Sequence, residues 1–469
     1  MPQKKSIYKI AAFFYVTFFC NALAIGQTVR QRAISQDWFE EDPVMDSVAG
    51  ISLNKAYALL KGRRSRTVIV AVIDNGVDIL HEDLKNIIWT NKKEIPGNGL
   101  DDDKNGYIDD IHGWNFRGTK NGSIVENEQA GSTQLYLAWK DTFENFDTHL
   151  IKPGQQKQLS MYLKARKDYF EKVNSRDSSD ILYAYNINYS SSRYIAGDSD
   201  NPDTKYYGSS AFLLSPNLSH GTHVAGIIAA QRNNKVGING IADNVLIMPI
   251  VATTAVGDER DRDIANAIVY AVDNGANIIN MSFSKRFSSA KSIVDKAIMY
   301  AAEKNVLIVH AAGNDGANID SDTNYHYPIA IYENGDRANN FITVGWSRPL
   351  FDYRLAHPYS DYGKLNVDLF APGSDIYSTV PNNGYDYKSG SSMSAPVVSG
   401  VAALLMSYFP SLTARQVKEI LLKSVYKPNQ LVNMPQTKIQ VPFDGLSNSG
   451  GIVNAYNAVK LAIDFTKSN

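Results

Sequence analysis

A chain of 469 residues with 44% hydrophobic and 20% charged side chains can bury a sizeable core, as two or three ordinary domains or as one large α/β domain. Its 47 basic and 48 acidic side chains nearly cancel and no long basic block stands out, which excludes a nucleic-acid binder working through charge. The single cysteine, Cys20, sits in an N-terminal apolar run, so a disulfide framework, a thiol nucleophile and a cysteine-based zinc site are excluded from a mature chain.

Lys4 and Lys5 precede an apolar run from Ile10 to Phe19, followed by Ala22-Leu23-Ala24. This order predicts a secretory signal over residues 1–26, cleaved after Ala24 or Gly26, and a secreted or otherwise extracytoplasmic protein with no membrane span in the mature chain. An uncleaved anchor competes, but the run is short for a span. A lipoprotein using Cys20 competes too, against bulky Phe18 and Phe19 where small residues are expected. Residues 27–66 read as a polar leading segment with an amphipathic stretch from Ile51 to Leu60, and residues 67–465 as the main domain.

Thr67 to Ile73 is apolar and β-branched almost throughout, which predicts a strand buried on both faces of a parallel sheet, ending in Asp74-Asn75-Gly76. Strand over 245–250, helix over 261–274, strand over 276–281, helix over 288–304 and strand over 306–310 continue the alternation. Phe341 to Val344 and Val367 to Phe370 read as further strands, and Thr413-x-x-Gln416 as a capping box opening a helix. Strands alternating with helices predict an α/β fold of three layers, a doubly wound, mostly parallel sheet with helices on both faces. Residues 118–216 break the rhythm and read as a partly helical insertion, with Pro153-Gly154 interrupting a charged helical stretch.

In such sheets sites gather beyond the C-terminal strand ends, where Asp74 and Asn314 fall. His220 and His223, in S-H-G-T-H-V-A-G, open a third element, and Ser392 lies in G-S-S-M-S-A-P at the start of an apolar helical run, with Pro396 placed in its first turn. Each residue alone also has a structural reading: a cap or turn for Asp74, a turn for Asn314, a capping histidine for His220, an N-cap for Ser392. Together they supply what acyl transfer needs. A serine hydroxyl is a weak nucleophile until a histidine takes its proton; a carboxylate must hold that histidine in one tautomer; an amide can stabilise the oxyanion. The order Asp, His, Ser is one of the known solutions.

The segments D-N-G at Asp74, H-G-T-H-V-A-G at His220, A-A-G-N-D at Asn314 and G-S-S-M-S-A-P at Ser392 resemble the four signature segments of subtilisin-like serine proteases. The resemblance runs from about Val68 to the C-terminal helix, outside the insertion. It implies a secreted serine endopeptidase acting through an acyl-enzyme on a protein or peptide substrate, and a monomer. Asp74 would be the orienter, His220 the general base and acid, Ser392 the nucleophile and Asn314 the oxyanion donor, with His223 structural. Asn75 stands where the family prefers Ser or Thr, Ser391 where it usually has Thr, and Ser284 where it usually has Gly. Ser282, Phe283 and Ser284 would pair with an extended substrate, and Ala311, Ala312 and Gly313 would form the opposite wall. Residues 27–66 are too few for a full inhibitory prodomain of the family's kind. A catalytically weak binding or scaffold protein on the same fold, and an esterase or amidase using the same triad, are the alternatives.

The loop Gly99 to Asp110 places Asp101, Asp103 and Asn105 at spacing two, then Gly106 and, at the ninth position, Asp109, which matches the first part of an EF-hand-type calcium loop. Position twelve is His112, so the motif is incomplete, with Asp110 as the substitute acid; an acidic surface turn is the competing reading. By resemblance alone, Asp83 and Asn234 sit where the family binds a structural calcium. Calcium is therefore the one expected cofactor.

Overall fold

A computed structural model of the chain describes residues 34–117, 125–145, 151–175, 183–189, 207–210, 217–254, 256–321, 324 and 326–467. The expected signal segment, with Cys20, lies outside them. The seven strands of the main sheet are β1 (Val68–Asp74), β2 (Trp114–Asn115), β3 (Val245–Val251), β4 (Ile278–Met281), β5 (Leu307–Ala311), β6 (Phe341–Ser347) and β7 (Leu369–Pro372), in the order β2-β3-β1-β4-β5-β6-β7. Every adjacent pair is parallel. The fold is α/β, as its alternation predicts.

The three layers follow from the period of two along a strand. Val68, Val70 and Val72 of β1 join one core cluster with Val224 and Ile227 of the helix Ser219–Ala229 and with Val397, Val401 and Leu404 of the helix Ser391–Tyr408. Ala71 and Ile73 join another with Ile264 and Ile268 of the helix Asp261–Asp273 and Ile298 of the helix Lys291–Glu303. Each large apolar side chain buried this way contributes roughly 1.5–3 kcal/mol over leaving it in water. Among the described residues, Ser391–Tyr408 is the one helix long and apolar enough to cross a membrane, and it is buried in this core.

The winding reverses at β1: the chain reaches β2 and β3 on one side and then crosses to β4 on the other. The loops leaving β1, β4 and β5 therefore diverge around a crevice, the usual ligand site of open α/β sheets. Asp74, Ser282 and Asn314 stand on or just after those three strand ends.

The sequence expectation differs at the helix that carries Ser392. It begins at Ser391, so Pro396 is its sixth residue and lies past the first turn. Proline there removes the N–H that would bond the Ser392 carbonyl four residues back. The vacancy is filled: Ser282 Oγ donates to the Ser392 carbonyl at 2.8 Å.

In the inserted region the helices Gly131–Phe143 and Gln156–Ser175 are separated by a 3-10 turn, Pro153–Gln155, where the sequence places the break. They meet through Tyr136 stacked on Tyr169, with ring centroids 4.9 Å apart. Leu135 and Ala165 pack on Phe287, just downstream of Ser282 to Ser284. The leading segment joins the main core: Trp38, Ile51 and Leu53 are fully buried, and Ala455 N–H donates to the Ile51 carbonyl at 2.7 Å.

Candidate active site

Asp74 ends β1 buried, and its Oδ1 accepts the Asn75 N–H at 2.8 Å. His220, second residue of its helix, places Nδ1 2.8 Å from Asp74 Oδ1 and 3.0 Å from Oδ2. The approach needs Gly221, where an added Cβ would lie 2.2 Å from the Gly76 carbonyl oxygen and 3.1 Å from Asp74 Cβ. Asn75, unusual for the resemblance, has a task here: its Oδ1 accepts the Gly221 N–H at 3.0 Å, fastening the helix entrance to the end of β1. His223, one turn on, places Nε2 3.0 and 3.1 Å from the Ile376 and Asp386 carbonyls. Burial pushes its pKa down to about 3, so it stays neutral and holds structure.

Ser392 is half-buried, and its Oγ donates to the Ser282 carbonyl at 2.8 Å, reciprocating the bond from Ser282 Oγ. Ser282 Oγ in turn accepts from Asn280 Nδ2 at 2.9 Å, and Asn280 Oδ1 accepts from Ser399 Oγ at 2.8 Å. Asn280 and Ser399 are fully buried, and no motif of the sequence marks them. An amide inside the apolar run A-N-I-I-N-M was the available signal, since a buried amide must be hydrogen-bonded.

Asn314 is exposed, and its Oδ1 accepts both the N–H (2.9 Å) and the Oγ–H (3.0 Å) of Ser391. Fixing the oxygen commits Nδ2 as the remaining donor of that amide. Ser391 Oγ also accepts the Gly313 N–H at 3.2 Å, so serine in place of threonine keeps the contacts that set Asn314. Ser282, Phe283, Ala311, Ala312 and Gly313 are buried and Ser284 is half-buried. Further along, a cavity of about 630 Å³ opens between the insertion and the domain, lined by Leu135, Asp258, Arg260, Lys285, Phe287 and Ile293 among others.

Residues 65–442 match the subtilase family profile. The chain belongs to the subtilase family. This subtilase is 37% identical over 242 residues to the "Thermophilic serine proteinase" of Bacillus sp. (strain AK1), covering 51% of this chain and 52% of that one. It is 27% identical over 423 residues to "Subtilisin-like protease 1" of Plasmodium vivax, covering 88% and 50%. The chain thus spans about half the length of these curated relatives. Among solved structures, a protease from Pseudoalteromonas arctica PAMC 21717 superposes with a TM-score of 0.51 at 22% identity, covering 91% of this chain and 97% of that one, a likeness of fold.

Charge around His220 is unevenly placed. Desolvation disfavours its protonated ring, but the Asp74 carboxylate outweighs this through charge and hydrogen bond; Lys388 opposes and Glu259 assists, and the pKa ends raised.

The expected calcium ligands of this subtilase divide. Asp101 and Asp103 come together with Glu94, one carboxylate oxygen of each lying within 4.8 Å of the others. Three carboxylates with oxygen donors only fit a hard divalent cation. Asp109 turns its carboxylate to the N–H groups of Gly97 (2.8 Å) and Gly99 (3.0 Å), while Asn105 donates to Asp110 at 3.1 Å. Asp110 is buried and also holds the Tyr270 hydroxyl at 2.7 Å. Glu94 precedes the loop, outside the EF-hand spacing, and so was not legible from it. Asp83 and Asn234 do meet, with Asn234 Nδ2 donating to Asp83 Oδ1 at 2.7 Å and the Ile238 N–H to Oδ2 at 3.1 Å. The pair thus joins the Asp83 segment to the loop that carries Asn234, the two residues lying together as the resemblance implies.

Proposed function

We propose that this subtilase is a secreted serine endopeptidase. The observation that carries the reading is the Asp74–His220 contact at the end of β1, with Ser392 opening a helix that packs in the same core as the His220 helix. Asp74 holds the His220 proton on Nδ1, leaving Nε2 as base. Ser392 Oγ attacks the scissile carbonyl carbon and gives its proton to Nε2, and the oxyanion is met by Asn314 Nδ2 and the Ser392 N–H. Nε2 then protonates the leaving amine as the C–N bond breaks, and water, deprotonated by the same nitrogen, hydrolyses the acyl-serine ester.

In the substrate-free arrangement the Ser392 hydroxyl is held by the Ser282 carbonyl. A peptide adding as a strand along Ser282 to Ser284 claims that carbonyl with its own N–H, and rotation about Ser392 χ1 then directs the hydroxyl to His220. An edge that reads an extended backbone favours a peptide over a small ester or amide. The insertion, packed against Phe287, restricts access at the far end of this edge. A fluorophosphonate probe should label the folded full chain, and a peptide library should be cleaved internally. A folded protein that neither labels nor cleaves overturns the reading.

Two expected results follow. The acidic limb of kcat/KM rises with pH as His220 loses its proton, and because Asp74 raises that pKa, the midpoint lies above the ordinary histidine value of about 6.5. A pH titration of kcat/KM on a peptide substrate checks this, and a midpoint below 6.5 contradicts it. Calcium at Glu94, Asp101 and Asp103 stabilises only the folded state, by about 2.7 kcal/mol at a hundredfold excess over Kd. Chelation should therefore lower Tm by several degrees in wild type and leave Tm unmoved in Glu94→Gln/Asp101→Asn, read by calorimetry; a wild-type Tm insensitive to chelator removes calcium from the account.

A further inference from the structure

Behind the loop that presents Asn314 lies a second histidine–carboxylate cluster that the proposed chemistry does not use. His326 is buried, with Nδ1 2.5 Å from Asp361 Oδ2 and 3.1 Å from the Ala312 carbonyl, and Nε2 3.2 Å from Asp315 Oδ2. Both ring nitrogens therefore face acceptors, which a neutral imidazole, with one N–H, cannot serve together. Asp361, fully buried, spends Oδ1 on the loop itself, accepting the N–H of Asp315 (3.1 Å) and of Ala317 (2.7 Å), while its own N–H donates to the Gly313 carbonyl at 3.2 Å. Gly313 is pressed so closely that an added Cβ would lie 2.1 Å from both Asp361 Oδ2 and His326 Nδ1. Tyr327, next to His326, exchanges backbone hydrogen bonds of 3.0 and 2.7 Å with Lys285, so the cluster spans from the substrate edge to the opposite wall.

We propose that His326, clamped as an imidazolium between Asp315 and Asp361, is a positioning residue for Asn314, fixing the loop 312–317 on which the oxyanion donor sits. The inference rests on the role given to Asn314 above. The groups facing the ring divide: two carboxylates in contact with it favour the charge, and two guanidinium groups nearby oppose it. Asp315 and Asp361 touch it; Arg286 sits behind Asp315 at 2.9 Å and reaches Asp168 of the insertion at 3.3 Å; Arg337 lines a small cavity shared with the ring. His310 on β5 is pushed down to about 3, by burial first and then by the His326 charge, and so stays neutral. Desolvation opposes the His326 charge, but the two carboxylates outweigh it and raise its pKa to about 9. The stability this raised pKa gives is complete below the unfolded value of about 6.5, declines above it, and is gone once pH has passed about 9. A ring that loses its proton sets a lone pair against a carboxylate, and the loop shifts.

Wild type should lose kcat as pH rises through about 9. His326→Gln should lower kcat roughly tenfold to a hundredfold at neutral pH with KM little changed, and should lack that alkaline limb. In an Asn314→Ala background the same substitution should cost less than about twofold, since its effect runs through Asn314. Equal losses in both backgrounds, or an unchanged alkaline limb in His326→Gln, overturn the proposal. Should His326→Gln fail to fold, imidazole NMR of the full chain carrying Ser392→Ala decides: His326 protonated well above pH 6.5 supports the clamp, and titration at or below 6.5 overturns it. Failure of wild type to label with fluorophosphonate would instead refute the peptidase reading, and the NMR result stands apart from it.

Discussion

Ser392→Ala is expected to lower kcat by on the order of 10⁶, a magnitude taken over from a subtilisin, and to abolish fluorophosphonate labelling while the protein stays folded. The hydroxyl makes one described hydrogen bond, to the Ser282 carbonyl. Losing it costs about 0.5–1.5 kcal/mol. The reverse bond, from Ser282 Oγ to the Ser392 backbone carbonyl, survives the substitution, so the helix stays tied to the substrate edge. Peptide affinity should hold or improve slightly, because the Ser282 carbonyl no longer has to release a hydroxyl before it takes a substrate N–H. Three measurements separate this from unfolding: the melting temperature, the Kd of a non-cleaved peptide, and the site of labelling by mass spectrometry. Labelling that persists in Ser392→Ala, or turnover within tenfold of wild type, would place the nucleophile elsewhere. Neither a scaffold protein nor a binding module requires any such loss, so the same experiment discriminates those readings.

The sheet and the four signature segments were legible because they are local. A run such as V-I-V-A-V-I is bound to be a two-faced strand, and Asp74 follows it by one residue. What the sequence did not disclose is how side chains from distant segments satisfy one another. Asn280, Ser282, Ser392 and Ser399 form one hydrogen-bonded chain across two elements, and no spacing rule relates them. The preference of proline for first turns does not hold for Pro396, which sits one turn deeper, where the deleted N–H leaves a carbonyl for Ser282. The loop Gly99 to Asp110 shows the converse. Local spacing brings Asp101 and Asp103 together, whereas Asp109, at φ 53°, turns to glycine N–H groups and Glu94 joins the cluster from upstream. No local spacing marks His326, because its partners, Asp315 and Asp361, are 11 and 35 residues away.

Asp74→Asn is expected to lower kcat by on the order of 10⁴ with little effect on the fold. The substitution keeps the shape and one oxygen, which can go on accepting the Asn75 N–H now 2.8 Å from Oδ1. It places an NH₂ group against His220 Nδ1, where the carboxylate oxygens stand at 2.8 and 3.0 Å. Facing a donor, Nδ1 must accept, so the neutral ring carries its proton on Nε2, and the nitrogen needed as base for Ser392 is blocked. The charge that raises the His220 pKa is lost as well, so what activity survives should show an acidic limb at lower pH than wild type. Raising the pH does not repair the defect, because the wrong tautomer is itself neutral. Nitrogen NMR of the imidazole should find the proton on Nδ1 in wild type and on Nε2 in the variant. KM should change little, since Asp74 is buried beneath His220 and offers the substrate nothing to bind. A variant that keeps a tenth or more of wild-type kcat, or whose Nδ1 remains protonated, would remove Asp74 from the orienting role and leave the 2.8 Å contact as a structural one.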